Sequence, residues 1–294
     1  MLKTEQPSAE HPQLDQYPVT SLVNALVDDQ ARAVQAVQAA APSISAAVEA
    51  MVPRIAAGGR LIYVGAGTSG RLGVLDSVEL FPTFSWPHER AKALLAGGMG
   101  AMFEAVEGAE DDRARGASDL RLMYPGFNDV VILVSASGTT PYVLGALQVA
   151  RTVGALTVGI ASNGNVVLVR EVDHAIVIDT GAEVISGSTR LKAGTAQKIV
   201  LNTLSSALMV RLNKVYGNLM VDLHATNTKL LQRAVRLTMH ATGAEELAAR
   251  AALEQCQFQV KVAIVALLRQ VEVAEAQHLL DLSNGSVRAA LAAA

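Results

Sequence analysis

The stretch Arg60–Arg71, R-L-I-Y-V-G-A-G-T-S-G-R, constrains this chain more than any other. Leu61 to Val64 form a short apolar run that reads as a buried strand. Gly65, Gly67 and Gly70 follow at a spacing that lets the backbone turn tightly, and Thr68 and Ser69 stand where a helix begins. A strand that ends in such a turn and opens a helix gathers free backbone N–H groups, hydroxyls and the positive end of a helix dipole. That is a seat for a phosphate or another anion, with Gly67, Thr68 and Ser69 as its residues. The G-x-G-x-x-G spacing is shared with dinucleotide folds. Hydroxyls filling the turn argue against a nicotinamide site. So does the second strand, which runs into Leu94-Leu95-Ala96-Gly97-Gly98 without the acidic residue expected there. A tight turn without a ligand is the bland alternative.

The rhythm that follows is strand, turn, helix, repeated. Strands are expected at Leu61–Val64, Ala91–Leu95, Val130–Ser135, Leu156–Ile160 and Ala175–Ile178, short and Val/Ile/Leu-rich with little alternation, as in parallel strands covered on both faces. Helices are expected over Met99–Val106, Arg113–Tyr124 and Pro141–Val153. Together these predict an α/β fold, a three-layer αβα sandwich on a parallel five-stranded sheet, with ligands at the carboxyl ends of the strands. Upstream, residues 1–18 read as an arm of low order. Two helices, Val19 to Ala41 and Ser43 to Ala57, precede the first strand. Leu191 to Tyr216 reads as one long helix, and residues 242–294 as a small helical module of three short runs. The main domain is thus 19–241.

Two further clusters fall at strand ends. Ser135-Ala136-Ser137-Gly138-Thr139-Thr140-Pro141 opens a helix with Pro141 in its first turn, where the missing N–H costs nothing. Capping accounts for one or two of these hydroxyls and hardly for four, so Ser135, Ser137, Thr139 and Thr140 are read as phosphate-binding, with the phosphate clamped between this turn and Thr68-Ser69. The third cluster, Gly181 to Lys192, offers Ser188 or Thr189 as a cap, Glu183 as a possible base and Lys192 as a partner for an anionic substrate, so that Glu183, Ser188 and Lys192 are read as substrate-binding; the alternative is only a solvated helix start. Glu79, beside Val78, Leu80 and Phe81, is expected to sit in apolar surroundings that suit a general acid. Glu110, in V-E-G-A-E-D-D, is either functional or a charge favouring a helix N-terminus.

Charge and composition remove other classes. A net charge of −3 with no Lys/Arg cluster leaves no footprint for nucleic acid. The single cysteine, Cys256, excludes an internal disulfide framework and fits a reducing compartment. Six scattered histidines never pair at i, i+4, so no metal site is expected. No G-x-S-x-G elbow supports a serine hydrolase. The polar N-terminus, with Glu5, Pro7, Glu10 and Pro12, is not expected to act as a signal peptide, and no run is long and apolar enough to span a bilayer. A cytoplasmic location, with no membrane contact, is the expectation.

The hydroxyl clusters at strand ends resemble the sugar isomerase (SIS) domain. The fuller set G-A-G-T-S-G-R-L-G-V-L-D (65–76), V-E-G-A-E-D (106–111), S-G-x-T-P-Y (137–142), G-S-T-R-L-K-A-G-T-A-Q-K (187–198) and G-N-L-M-V-D-x-x-A-T-N (217–227) resembles the N-acetylmuramic acid 6-phosphate etherase family, with its motifs in order over residues 19–240. The tail fits that family's UBA-like helical module. The resemblance implies a metal-free, cofactor-free cytoplasmic lyase working as a homodimer, which cleaves the D-lactyl ether of a phosphosugar. It places the two catalytic glutamates on Glu79 and Glu110. Departures accompany it. Leu80 and Phe81 stand where the family has Cys and Pro, and Thr139 replaces a common arginine. The alternatives are a phosphosugar isomerase of the same fold, with Glu183 as base, and a non-catalytic phosphosugar sensor like the glucokinase regulatory protein.

Overall fold

The computed structural model describes residues 1–223 and 228–293. The chain divides into two compact units, residues 1–77 with 89–205, and residues 78–88 with 206–294. His224 and the end of the 217–227 motif lie outside the described residues.

The first unit is a parallel five-stranded sheet in the order β2-β1-β3-β4-β5, with β1 Leu61–Gly65, β2 Ala91–Leu95, β3 Val130–Val134, β4 Leu156–Ala161 and β5 His174–Val177. All its pairings are parallel, with Ile62 opposite Val131 and Val64 opposite Leu133. Strands β1, β3 and β4 are buried along their whole length, which is why their sequences read as unbroken apolar runs. Helices cover both faces. Ile62, Val64, Val131 and Leu133 share a core with α3 (Arg113–Leu122) and α4 (Pro141–Thr152). On the other face, the Tyr63 hydroxyl donates to Asp76 of α2 (Gly67–Phe84) at 2.8 Å. The short α5 (Val167–Glu171) and the long α6 (Lys192–Arg211) complete the set.

Where two helices were expected before β1 there is one, α1, Val19–Ala56, which runs through Pro42. A proline inside a helix removes one hydrogen bond and costs about 3 kcal/mol. Ala33, Ala36, Val37 and Ala40 before it, and Ile44, Ala47, Val48 and Met51 after it, form one buried stripe that only a continuous helix can keep in phase. Just beyond the proline, Ser45 donates its hydroxyl back to the Ala41 carbonyl at 3.0 Å. Only Met99–Met102 of the helix expected after β2 forms, as a short 3-10 turn.

The N-terminal arm is also held, contrary to the expectation of low order. Thr4 is fully buried, and the Lys3 N–H donates to Asn163 Oδ1 at 2.9 Å. Asn163 Nδ2 donates to Thr4 Oγ1 and to the Ala136 carbonyl. The Ser8 N–H reaches Ser186 Oγ, and Lys3 pairs with Asp179. A polar arm docks here because side chains beyond β4 and β5 offer it hydrogen-bond partners.

The second unit carries the hairpin β6 (Val215–Tyr216) and β7 (Leu219–Met220), then α7 (Thr228–Thr242), α8 (Glu246–Gln255), α9 (Val260–Arg269), α10 (Val273–Leu282) and α11 (Val287–Ala292). The tail thus holds four short helices where three runs were expected. Leu253, Ile264, Val265 and Leu280 anchor its own core.

Candidate active site

The first turn forms as its glycines demand. A Cβ on Gly65 would lie 2.6 Å from the Gly70 nitrogen, and one on Gly70 2.6 Å from the Gly65 carbonyl oxygen, so only glycines let the end of β1 meet the start of α2. Gly67 adopts the left-handed φ of +51°. Thr68 and Ser69 then lie in the first turn of α2, whose early N–H groups carry the positive end of the dipole. Ser69 is buried, and its hydroxyl donates to Gln197 Oε1 of α6 at 2.9 Å, with the amide nitrogen of Gln197 left without a partner. Thr68 meets Gly194 of the same helix, where a Cβ would come within 3.3 Å of Thr68 Cγ2. The structure therefore brings the N-termini of α2 and α6 together.

The second turn is a ring of hydroxyls. Ser135 Oγ lies 2.7 Å from Thr140 Oγ1 and 3.2 Å from Ser137 Oγ, and it also accepts from the Gly138 N–H at 3.0 Å. Ser137 Oγ accepts from the N–H and the hydroxyl of Thr139, both at 3.2 Å. Thr140 stands at the N-cap of α4 but makes no side-chain cap bond. Capping therefore does not explain these residues. They pool donors and acceptors at a helix N-terminus, as an anion site needs. Thr139, at the position of the common arginine, is exposed.

The third cluster departs from the reading that gave it to substrate. Glu183 is fully buried, and its two oxygens accept from the backbone N–H of Lys192 at 3.1 Å and of Ala193 at 2.9 Å. It caps α6. Burial pushes its carboxyl upward, with those N–H bonds and the Lys192 charge opposing. Lys192 is also fully buried. Its ammonium binds Asp29 of α1 at 2.7 Å and the Ala182 carbonyl. Neither side chain is open to a ligand. The run of charges looked like a solvated helix start because sequence does not show that α1 delivers Asp29 to Lys192. Ser188 is partly exposed and makes a backbone turn with Ile185 and Leu191.

Glu79 and Glu110 belong to different units. Glu79, in the C-terminal half of α2, is exposed, so the apolar surroundings expected for it are absent. On a helix its sequence neighbours point elsewhere: Leu80 is buried, and Phe81 stacks on His88 at 4.2 Å. One turn earlier, the buried Asp76 accepts from Tyr63, from Asn202 Nδ2 at 2.6 Å and from Ser205 Oγ at 3.2 Å, which locks α2 to the sheet and to α6. Glu110 is exposed in a short 3-10 turn, Ala109–Asp111, just before α3. Asp112, not Glu110, caps that helix, accepting from the Arg115 N–H at 2.8 Å. Beside it, Gly97, Gly98, Glu107, Gly108, Asp112 and Arg115 line a cleft of about 320 Å³.

Asp76, Asn163 and Gln197 were not singled out from sequence. Asp76 and Gln197 carried a signal, a polar residue on an otherwise buried helix face. Asn163 carried none. Among the described residues no group of three His, Cys, Asp or Glu side chains is placed to hold a metal ion.

Comparison with known proteins adds to this geometry. Residues 43–151 match the model of the glucokinase regulatory protein N-terminal SIS domain, and residues 104–207 the SIS domain. The chain is 58% identical to the N-acetylmuramic acid 6-phosphate etherase of Deinococcus radiodurans, over 98% of this chain and 95% of that one. It is 52% identical to the Rubrobacter xylanophilus protein of the same name, over 99% and 96%. A phosphoheptose isomerase structure from Francisella tularensis superposes with a TM-score of 0.52 at 17% identity, covering 65% of this chain and 98% of that one, and shares the fold.

Proposed function

The chain belongs to the N-acetylmuramic acid 6-phosphate etherase family, and from that premise we propose how its own residues cleave the D-lactyl ether of N-acetylmuramate 6-phosphate. The enzyme is a carbon–oxygen lyase whose products are N-acetylglucosamine 6-phosphate and D-lactate. Ring opening exposes an aldehyde at C1 and acidifies the proton on C2. Glu110 removes that proton. Glu79 protonates the oxygen at C3 as lactate departs, leaving an α,β-unsaturated aldehyde. Water adds back by the reverse use of the same pair. The phosphate, remote from the bond that breaks, contributes binding energy that orients the sugar.

The ring of hydroxyls at residues 135–140 is the single observation that most favours a phosphosugar ligand, since four side chains there satisfy one another rather than the helix they precede. Gly67, Thr68 and Ser69 form the facing side of the pocket, with Ser188 beside it. Glu183 and Lys192, both buried, hold the start of α6 in place and do not touch the sugar. The enzyme works as a cytoplasmic homodimer, and residues 242–294 form a UBA-like module. The alternative in which Glu183 shuttles a proton in an aldose–ketose isomerisation is disfavoured, because both of its oxygens are held by α6 N–H groups.

Purified protein given N-acetylmuramate 6-phosphate should release D-lactate. No release, together with isomerisation of a hexose phosphate that is lost in Glu183→Gln, would overturn the assignment.

A further inference from the structure

Helices α3 and α4 meet through two glycines. A Cβ on Gly116 would lie 1.9 Å from the Tyr142 carbonyl oxygen, and one on Gly145 1.9 Å from the Arg113 carbonyl oxygen. Main chain therefore touches main chain at both points, and neither helix can slide past the other. Next to this crossing, the wholly buried Tyr142 donates its hydroxyl to Asp119 Oδ2 at 2.8 Å. The other oxygen of Asp119 accepts from Arg115 Nε at 2.6 Å.

What the crossing connects gives it meaning. Tyr142 is the second residue of α4, directly after the hydroxyl ring of residues 135–140. At the far side, α3 begins at Arg113, capped by Asp112, and Glu110 sits in the short turn just before it. Ala109 of that turn packs against the same core as α4. A core that needed only bulk would be served by phenylalanine at 142, with no carboxylate to desolvate. We propose that Tyr142, acting through Asp119 and the Gly116–Gly145 crossing, is a positioning residue that sets the distance between the hydroxyl ring and the Glu110 carboxylate. The inference rests on Glu110 being the base. Burial, and then the neighbouring Asp119, push the Tyr142 hydroxyl well above its ordinary range, so it remains a donor at every working pH.

A displacement of about 1 Å in a reacting group can cost about a hundredfold in rate. In the full chain, Tyr142→Phe and Asp119→Asn should each lower kcat for D-lactate release about tenfold or more, with KM for N-acetylmuramate 6-phosphate within about twofold of the parent. Exchange of the C2 proton with solvent deuterium should fall in parallel, in protein that circular dichroism shows to be folded. Gly145→Ala, which pushes the helices apart without touching the hydroxyl, should act in the same direction. Unchanged kcat and exchange in Tyr142→Phe would overturn the inference, as would a loss confined to KM or one matching the unfolded fraction. Glu110→Gln, assayed alongside, separates the two readings. If it retains exchange, the assignment of the base fails. If it abolishes exchange while Tyr142→Phe is unaffected, only the positioning role fails.

Discussion

At the scale of single residues, the first unit combines hydroxyl-lined turns at its strand ends with a buried ion pair between Lys192 and Asp29. Thr68, Ser69 and the four hydroxyls of residues 135–140 lie where strand-to-helix turns put them, because turn chemistry is local. Lys192 illustrates the opposite case. Its environment depends on Asp29, 163 positions away, and nothing near Lys192 announces a buried ion pair. Glu79 misled for a related reason, since apolar neighbours in sequence are not neighbours across a helix. The consequence for Lys192 is testable. Lys192→Met leaves Asp29 buried without its counter-charge and should cost about 3–5 kcal/mol in denaturant unfolding. Asp29→Leu combined with Lys192→Met should recover most of that loss. A surface pair would cost less than about 1 kcal/mol when broken, and a loss that small would refute the buried role.

Among elements, the strands were found within a residue or two, since a parallel strand covered on both faces is an apolar run with a stop at each end. Helix α1 was divided at Pro42 because sequence displays the cost of the proline and hides the stripe that offsets it. The amino ends of β1 and β3 are joined by a device that sequence did not reveal. Asp129 accepts from the Arg60 N–H at 2.8 Å, from Arg60 Nη2 at 2.6 Å and from the Gly126 N–H at 2.9 Å. Burial alone would raise this carboxyl, but the hydrogen bonds from Arg60 and Gly126 outweigh it and hold the group below its ordinary value. A lowered value means that the stabilisation is complete above the unfolded-state value and disappears as pH falls through the folded-state one. Asp129→Asn should therefore lower Tm at neutral pH and flatten the loss of stability on the acid side. KM should be unchanged, because Asp129 sits at the opposite end of the strands from the turns. An equal Tm deficit at every pH would contradict the linkage.

For the whole molecule, the two compact units carry different parts of the proposed chemistry. The sheet unit holds both hydroxyl-bearing turns and Glu110, while Glu79 belongs to the unit with the C-terminal helices. The sheet could be read from alternating strand and helix patterns. The division into units could not, because residues 78–88 group with a stretch that lies more than a hundred positions further along the chain. The proposed chemistry divides the labour between two carboxylates, and the most direct measurement is incorporation of solvent deuterium at C2 of N-acetylmuramate 6-phosphate in the single variants. Glu110→Gln should abolish incorporation while still binding the sugar phosphate, whereas Glu79→Gln should incorporate deuterium yet release no D-lactate. Incorporation that survives in Glu110→Gln, or full turnover in both variants, would contradict the account.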